Sequence, residues 1–385
     1  MSTAIQYRGG TTAQHATFTG KLREVTVDTD KHSLVVHDGA TAGGFPTARA
    51  ELSKRAFVKA NPRAVAFART GFATVSTGQQ LYIDVADLVI AFAANTAVTM
   101  PALTVGTDYA IYACADGTLR ADASFSAPAG YTTANSRQIG GFHYAPGANA
   151  TGRNTGGDTS IQINPFSLWD LKFRPNVADP RGMALIAGTF WADIYMLGVD
   201  HITNGTSKYN VAMATGTAPP KIPTMFGGSG SSAYPDGNWF SFREVLMSYG
   251  KRFPRYAEFQ ALAYGVMEKI SCGPASGGSA PLTGQTNAGY TSTWEKFTSI
   301  FGIVQATGNL WSWGEEFGGP YGGAAYVDTP DARGQYYNQP NAAIFGGSWN
   351  FTVNSGSRAS NWALAPSLSG AYIGARGVCD HLILG

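Results

Sequence analysis

The sequence is poor in charge and lacks long apolar runs. Only 14% of its 385 residues are charged, and 27 Lys and Arg against 25 Asp and Glu leave a formal net charge of +2. Without basic clusters interleaved with aromatic residues, we expect no nucleic-acid partner. The most hydrophobic stretch, 183–197, is interrupted by Asp193 and is too short to cross a bilayer, so we expect no membrane insertion.

Cysteine and histidine are too few and too scattered to suggest a metal centre. Cys114, Cys272 and Cys379 lie far apart without a CxxC pair, and the six histidines have no neighbour at metal-ligand spacing. We therefore expect each cysteine to be a small buried hydrophobe. We expect neither a metal ion nor another cofactor.

Glycine is abundant, with 48 residues, and Thr, Ser and Ala are also frequent. This composition is typical of many short strands joined by turns. At about 100–200 residues per domain, the length suggests two or three domains. We expect a mostly β chain of the α+β class and divide it into 1–49, 50–170 and 171–385.

The amino-terminal segment is too small to fold alone. Residues 24–28 and 34–37 alternate apolar and polar side chains, and Asp38 with Gly39 supplies a turn. A segment of about 45 residues can hardly bury its own apolar face. We therefore expect it to associate with copies of itself.

The middle segment contains a hairpin. Residues 109–113 return from Leu119, and the intervening Asp116 and Gly117 favour the positive φ of a tight turn. We interpret 50–170 as a small β-sandwich that serves as a spacer.

Helices are expected in the last segment. One short helix covers 244–249, Gly250 ends it, and Pro254 begins a second helix that reaches Met267. Ser292 is expected to cap a third helix.

The most informative stretch is 345–384, in which landmark residues alternate with unremarkable ones. The landmarks are Gly346, Gly347, Trp349, Arg358, Trp362, Pro366, Gly374, Arg376 and Cys379. Glycines allow close packing, large rings need a pocket, and guanidinium groups can bond buried carbonyls. Two sets between them are spaced by two: Ser348, Asn350, Thr352 and Asn354, then Leu368, Gly370 and Tyr372. In an extended strand each set shares one face, so we expect one face to hold the fold and the other to meet a partner.

Motifs along the whole chain carry a resemblance to a known family. The order GKRFPRYAEFQALAYG, LWSWGEEFGG, FGGSWN, SGSRAS and GARGVCDHL resembles the C-type lectin fold of the branch shared with formylglycine-generating enzymes. QYRGGTTAQH, VTVDTD and VVHDGATAGG resemble an amino-terminal segment in which three chains build a β-prism. Together with SLWDLKFRP and PRGMALIAGTFWADIY, the chain resembles the major tropism determinant family of phage tail-fibre receptor-binding proteins.

The resemblance implies an intertwined homotrimer at the tip of a tail fibre, made in the host cytoplasm and joined to other tail-fibre proteins. It implies attachment of the virion to a protein receptor on the host's outer surface, without enzymatic activity. It further implies that an error-prone retroelement rewrites codons of a variable region at about 345–384.

Residue by residue, the resemblance also predicts the binding site. The variable, receptor-contacting positions fall on Ser348, Asn350, Phe351, Thr352, Asn354, Asn361, Ala363, Leu364, Leu368, Gly370, Tyr372 and Ile373. The residues expected to fix the backbone beneath them are Trp349, Arg358, Trp362 and Arg376.

Two enzymes are alternatives. A formylglycine-generating oxidase needs a close pair of copper-binding cysteines, whereas the carboxyl-terminal stretch has Cys379 alone. A tail spike that cuts polysaccharide needs a carboxylate pair, for which Asp331, Glu315 and Glu316 are candidates. Glu315 and Glu316 are better suited to bonding backbone near a turn.

A calcium-dependent carbohydrate lectin is the remaining alternative. Its chemistry needs carboxylates and amides that ligate an ion in contact with sugar hydroxyls. Gln339-Pro340-Asn341 resembles one element of such a site, but Trp349-Asn350 is followed by Phe351 rather than by a carboxylate.

Overall fold

The computed structural model describes residues 7–31, 33–46, 56–273, 281–286, 290–318, 326–328, 335–337 and 340–384. The chain divides into two compact units. The first unit comprises Met1–Val58 and Tyr82–Ala91, and the second comprises Lys59–Leu81 and Phe92–Gly385.

Short strands dominate the described residues. The first twelve are β1 (Arg8–Gly10), β2 (Val25–Asp28), β3 (Ser33–Val36), β4 (Phe45–Pro46), β5 (Phe57–Lys59), β6 (Phe67–Gly71), β7 (Thr74–Thr77), β8 (Leu81–Val85), β9 (Leu88–Phe92), β10 (Thr107–Cys114), β11 (Leu119–Asp122) and β12 (Ser136–Ala145). The others are β13 (Gln162–Ile163), β14 (Trp169–Asp170), β15 (Phe173–Pro175), β16 (Met183–Ile186), β17 (Phe190–Asp193), β18 (Trp311–Gly318), β19 (Tyr326–Asp328), β20 (Gln335–Tyr337), β21 (Asn341–Phe345), β22 (Ser360–Leu364), β23 (Ile373–Gly374) and β24 (Val378–Ile383). The prediction of a mostly β chain is confirmed.

Helices are short. The α-helices are α1 (Thr12–Thr17), α2 (His201–Asn204), α3 (Trp239–Ser248) and α4 (Tyr256–Leu262), and single 3-10 turns cover Pro165–Ser167, Thr224–Phe226, Trp294–Phe297 and Thr352–Asn354. Among the described residues, no helix is long and apolar enough to cross a membrane.

The first unit contains a sheet of order β1-β2-β3-β4, in which β1 and β2 are parallel. Its central strands confirm the alternation predicted over 24–28 and 34–37. Helix α1 was not predicted, although Thr11 and Gln14 form a capping box at its start. The Thr11 hydroxyl accepts the Gln14 N–H, and the Gln14 side chain accepts the Thr11 N–H.

The second unit is organised around a long antiparallel sheet of order β11-β10-β12-β14-β15-β24-β17-β16. The predicted hairpin is confirmed, since β10 pairs with β11 across a turn in which Gly117 has φ +81°. The sheet continues past Asp170, where the sequence placed a domain boundary, because Asp170 pairs with Phe173 in the β14–β15 hairpin. Strand β15 then pairs with β24.

The first predicted helix starts earlier than expected. Helix α3 starts five residues before 244, because the Asn238 side chain caps the N–H groups of Phe240 and Ser241. It ends before Gly250 (φ +70°), as predicted.

The other two helical predictions need correction. Helix α4 begins after Pro254 and stops well before Met267. The third predicted helix is only the 3-10 turn Trp294–Phe297, and Ser292 does not cap it. Gly265, with φ +100°, follows α4 and cannot continue a right-handed helix in that conformation.

A second sheet of the same unit, here called the carboxyl-terminal sheet, has the order β22-β21-β18-β23. Helix α3 packs on it through Phe242 and Val245, which share a buried cluster with Trp313 of β18. Helix α4 packs through Phe259, which lies 5.4 Å from Phe345 of β21 between ring centroids. These contacts fix the sheet whose edges and loops carry the predicted binding residues.

Candidate functional site

The predicted contact residues lie in the two loops and two edge strands of the carboxyl-terminal sheet. The first loop, 346–359, joins β21 to β22, and the second, 365–372, joins β22 to β23. Strands β22 and β23 stand at opposite edges of this sheet.

Two glycines start the first loop. Gly346 and Gly347 have φ of +96° and +85°, values that side chains rarely adopt. A Cβ on Gly347 would collide with Ser355, which folds back beneath the loop. The landmark glycines therefore serve the close packing that the sequence predicts.

Trp349 anchors the same loop from inside. Its side chain is buried, and its backbone N–H donates to the backbone carbonyl of Asn309 at 2.9 Å. Its carbonyl accepts the Ser271 hydroxyl at 2.7 Å and the Gly273 N–H at 3.2 Å. The backbone N–H and carbonyl of Trp349 therefore both have hydrogen-bond partners inside the fold, which fixes the backbone at this residue.

After Trp349 the chain forms turns and not the extended strand that spacing by two suggested. The 3-10 turn Thr352–Asn354 replaces the strand, and Thr352 has φ +44°. Asn350, Phe351, Thr352, Val353 and Asn354 are all exposed. The expected alternation is therefore wrong here, because a turn exposes successive residues instead of every second one.

Phe351 and Tyr372, from the two loops, both contact Trp311, Phe351 through its ring and Tyr372 through its backbone carbonyl. The centroid of the Phe351 ring lies 5.0 Å from that of the Trp311 ring. The backbone N–H of Trp311 donates to the backbone carbonyl of Tyr372 at 2.9 Å. Phe351 is 38% exposed and Tyr372 36%, whereas Trp311 is buried. The structure thus brings together these two predicted contacts around Trp311.

Three predicted contact residues are buried, which corrects their assignment. The Ser348 hydroxyl is inside and donates to the Asn350 side chain at 2.7 Å. Gly370 lies against Gly216, whose N–H bonds the Gly370 carbonyl at 3.0 Å. Ile373 belongs to β23 and packs in the core. Their burial keeps all three from a partner's surface.

The remaining predicted contacts lie on β22 and just after it. Ala363 is exposed, and Asn361 is half-buried with its side-chain oxygen bonded to the Ala363 N–H at 2.9 Å. Leu364 and Leu368 are half-buried against the core cluster that contains Trp313. This group stands at the edge of the sheet opposite to Ile373.

Arg376 behaves as the sequence predicted for a guanidinium group that bonds buried carbonyls. It donates at 2.7 Å to the carbonyls of Asp193, Ile194 and Val304, and at 3.3 Å to that of Gln305. Burial lowers its pKa to about 9, so it remains charged at neutral pH. One side chain thereby joins two separate segments of backbone.

Arg358 does not have the role expected of it. Its side chain is exposed, and its carbonyl accepts the Tyr256 hydroxyl at 2.9 Å. Trp362 is half-buried, and the centroid of its ring lies 6.0 Å from that of Phe345. The ring also packs so closely on Gly318 that a Cβ there would collide with it. Arg358 is thus a surface residue, while Trp362 packs between sheet and solvent.

The described residues supply little for catalysis. Burial raises the pKa of the Cys379 thiol to about 12, which keeps it protonated. Glu315 pairs with Arg243 at 3.3 Å, and Glu316 accepts the N–H of Tyr256 at the start of α4. Both glutamates are therefore used structurally.

Metal ligands are equally sparse. Within the described ranges, no three His, Cys, Asp or Glu side chains are grouped where they could hold a metal ion. Asp331 and Gln339 lie outside the described residues.

A backbone fixed from within, carrying a polar and aromatic outer surface, is the arrangement of a binding protein. Residues 5–41 match the family described as "Major tropism determinant N-terminal domain", and residues 65–170 match "Mtd second domain". The chain is 61% identical over 384 residues to the tail fiber receptor-binding protein of Bordetella phage BPP-1, with 100% of both chains covered.

Solved structures agree. The M1 and U1 variants of the major tropism determinant each match with a TM-score of 0.88 and 61% identity, over 99% of this chain and 100% of theirs. The chain belongs to the major tropism determinant family.

Proposed function

We propose that this chain is the receptor-binding protein of a phage tail fibre, which attaches the virion to a protein on the host cell surface. The observation that carries the proposal is the pairing of an exposed aromatic surface, Phe351 and Tyr372, with a backbone held by Trp349 and Arg376. A side chain on such a surface can change at a cost within about ±0.5 kcal/mol of stability. Binding and folding are then separable.

The proposed contact surface is narrower than the sequence suggested. It consists of the exposed predicted residues Asn350, Phe351, Thr352, Asn354, Ala363 and Tyr372, with the outer parts of Asn361, Leu364 and Leu368. We propose that a retroelement diversifies these positions and that they are displayed on a C-type lectin fold.

We further propose an intertwined homotrimer. Leu34 and Val36 alternate on β3 with buried residues and are exposed, as is Phe45 on β4. An apolar face of this kind on a small sheet favours association, here with two further copies in a β-prism. Residues 50–170 would form a β-sandwich that serves as a spacer.

We propose that the trimer lies at the tip of the fibre, beside other tail-fibre proteins, and that it has no catalytic role. Three identical faces on several fibres raise the apparent affinity by about 10²–10⁴ without a new contact. A weak single site therefore suffices for attachment.

The test is adsorption of the purified chain to cells of a strain that the parent chain binds. We expect Tyr372→Ala and Phe351→Ala each to weaken binding by at least about tenfold while the chain stays folded at the assay temperature, since both remove exposed apolar contact area. Ile161→Ala, which truncates an exposed residue of the middle segment, is the control and should bind normally. Normal binding by both aromatic variants would falsify the proposed surface.

A further inference from the structure

The first loop exposes an apolar residue that the spacing by two assigned to the interior. Val353 is 65% exposed, the largest value among the large hydrophobic side chains described between 340 and 384. It lies at the centre of the 3-10 turn Thr352–Asn354 and is absent from the predicted contact residues. Single exposed aliphatic side chains are common on protein surfaces, and what sets Val353 apart is the ordered turn that presents it beside Phe351.

The backbone that carries Val353 is held in place from both sides. Within the turn, the Asn354 N–H donates to the Phe351 carbonyl at 3.0 Å and the Ser355 N–H to the Thr352 carbonyl at 3.1 Å. From below, the hydroxyl of buried Ser271 accepts the Thr352 N–H at 3.2 Å. That hydroxyl also donates to the carbonyl of Trp349, which links the turn to the core.

The order of this turn lowers the entropic cost of using Val353 in binding. Fixing a residue's backbone costs about 1–2 kcal/mol, and here hydrogen bonds have fixed it before a partner arrives. Valine has a single, restricted χ1 angle, so little rotamer freedom remains to be lost. Most of the free energy gained when a partner buries the apolar surface of Val353 therefore contributes to affinity.

The neighbours of Val353 point to the chemistry of its partner. Phe351, two residues earlier on the same turn, is partly exposed over Trp311. Three charged residues lie on or against this loop: Arg358 is exposed near its end, the Glu268 carboxylate is engaged by Ser357, and exposed Lys269 donates its backbone N–H to the Ser355 carbonyl at 2.9 Å. The turn thus offers aliphatic and aromatic surface together with the amides of Asn350 and Asn354.

We propose that Val353 is a specificity-determining residue that inserts into an apolar depression on the host's protein receptor. It would be a constant contact among the residues that we expect to vary, and it would select receptors with an apolar recess beside the site of Phe351. The proposal rests on the proposed function, because it assumes that this face meets the receptor.

The experiment compares Val353 variants of the full-length chain by the concentration that gives half-maximal binding to cells of a strain that the parent chain binds. Val353→Thr keeps the shape and replaces a methyl group by a hydroxyl, and it should weaken binding about tenfold. Val353→Asp should weaken it further, and Val353→Ile should bind at least as well as the parent. All three should keep the parent's melting temperature, because the side chain is exposed.

Two further variants separate the inference from the proposed function. Ile161→Asp places a charge at another exposed β-branched position and should bind normally. If Tyr372→Ala weakens binding while Val353→Thr and Val353→Asp bind like the parent, the role of Val353 is disproved and the proposed function stands. If none of the variants on this face changes binding, the proposed function fails and the inference with it.

Discussion

Arg376 joins two backbone segments of the second unit from within. Its guanidinium group donates hydrogen bonds to carbonyls of two backbone segments that water does not reach. The negative charge of nearby Asp193 favours the ionised form of the guanidinium group. The Asp193 carboxylate also pairs with buried Lys251 at 2.5 Å. Loss of one member leaves the other buried charges and carbonyls without partners, which is costly in an interior of low polarity.

Replacing Arg376 by Met should therefore destabilise the fold by about 3–5 kcal/mol. Arg358→Met is a matched control in the same stretch, and because Arg358 is exposed its change should stay within about ±0.5 kcal/mol. Chemical denaturation of both variants measures the difference. Equal stability of the two would show that the carbonyl bonds of Arg376 contribute nothing.

At the scale of elements, the loop between β21 and β22 is shaped by steric exclusion. Gly347 combines a positive φ with a position against Ser355, so a side chain there is opposed both by its own backbone and by its neighbour. Gly117, in the β10–β11 turn, has nearly the same φ but open space around it. The pair separates the conformational cost from the packing cost.

Gly117→Ala should cost about 1 kcal/mol, the penalty of a left-handed conformation. Gly347→Ala should cost about 1–3 kcal/mol more, because Ser355 and the loop must also move. Thermal unfolding of the two variants, together with binding to cells, tests this. We expect only Gly347→Ala to weaken binding, and a result in which Gly117→Ala is the more harmful would contradict this account of the loop.

The sequence predicted elements correctly where they depend on neighbouring residues, and it predicted them wrongly where they depend on contacts between residues far apart in the chain. The Asp116-Gly117 hairpin and the end of α3 before Gly250 depend on the φ preference of one residue, which the sequence states directly. Spacing by two predicted a strand over 348–354, but a turn tied to Ser271 forms instead. That tie joins residues 81 positions apart, so no local pattern could reveal it.

The candidate site was predicted in outline by resemblance. Its exposed members include Phe351 and Tyr372, whereas Ser348 and Ile373 are inside because strand pairing and packing place them there. Val353 could have been noticed as an apolar residue between polar ones. The assumption of an extended strand assigned it to the interior.

At the scale of the whole molecule, buried His201 and half-buried His381 link stability to pH. Burial lowers the pKa of His381, whose Nδ1 also accepts the Trp191 indole N–H at 2.8 Å, and burial likewise lowers the pKa of His201. A depressed pKa means that the folded state resists protonation. The stability contributed by the neutral rings is present above the unfolded pKa of about 6.5 and is lost as the pH falls below it.

We therefore expect the melting temperature to fall between pH 7.5 and pH 5. His381→Gln should lower stability at pH 7.5, because the bond from Trp191 is weakened, and should show a shallower dependence on pH. Differential scanning fluorimetry across this range makes the comparison. A parent chain that is equally stable at both values would contradict the assignment of neutral rings.

The place of β24 in the long sheet sets a limit on when that sheet can form. This strand sits between β15 and β17 and pairs with both, yet the ribosome makes it after every other strand of the sheet. During translation, β15 and β17 must wait with unpaired edges until β24 has left the exit tunnel. The second unit therefore completes its long sheet only after synthesis has passed the final strand, and its nascent form is exposed to misassembly until then.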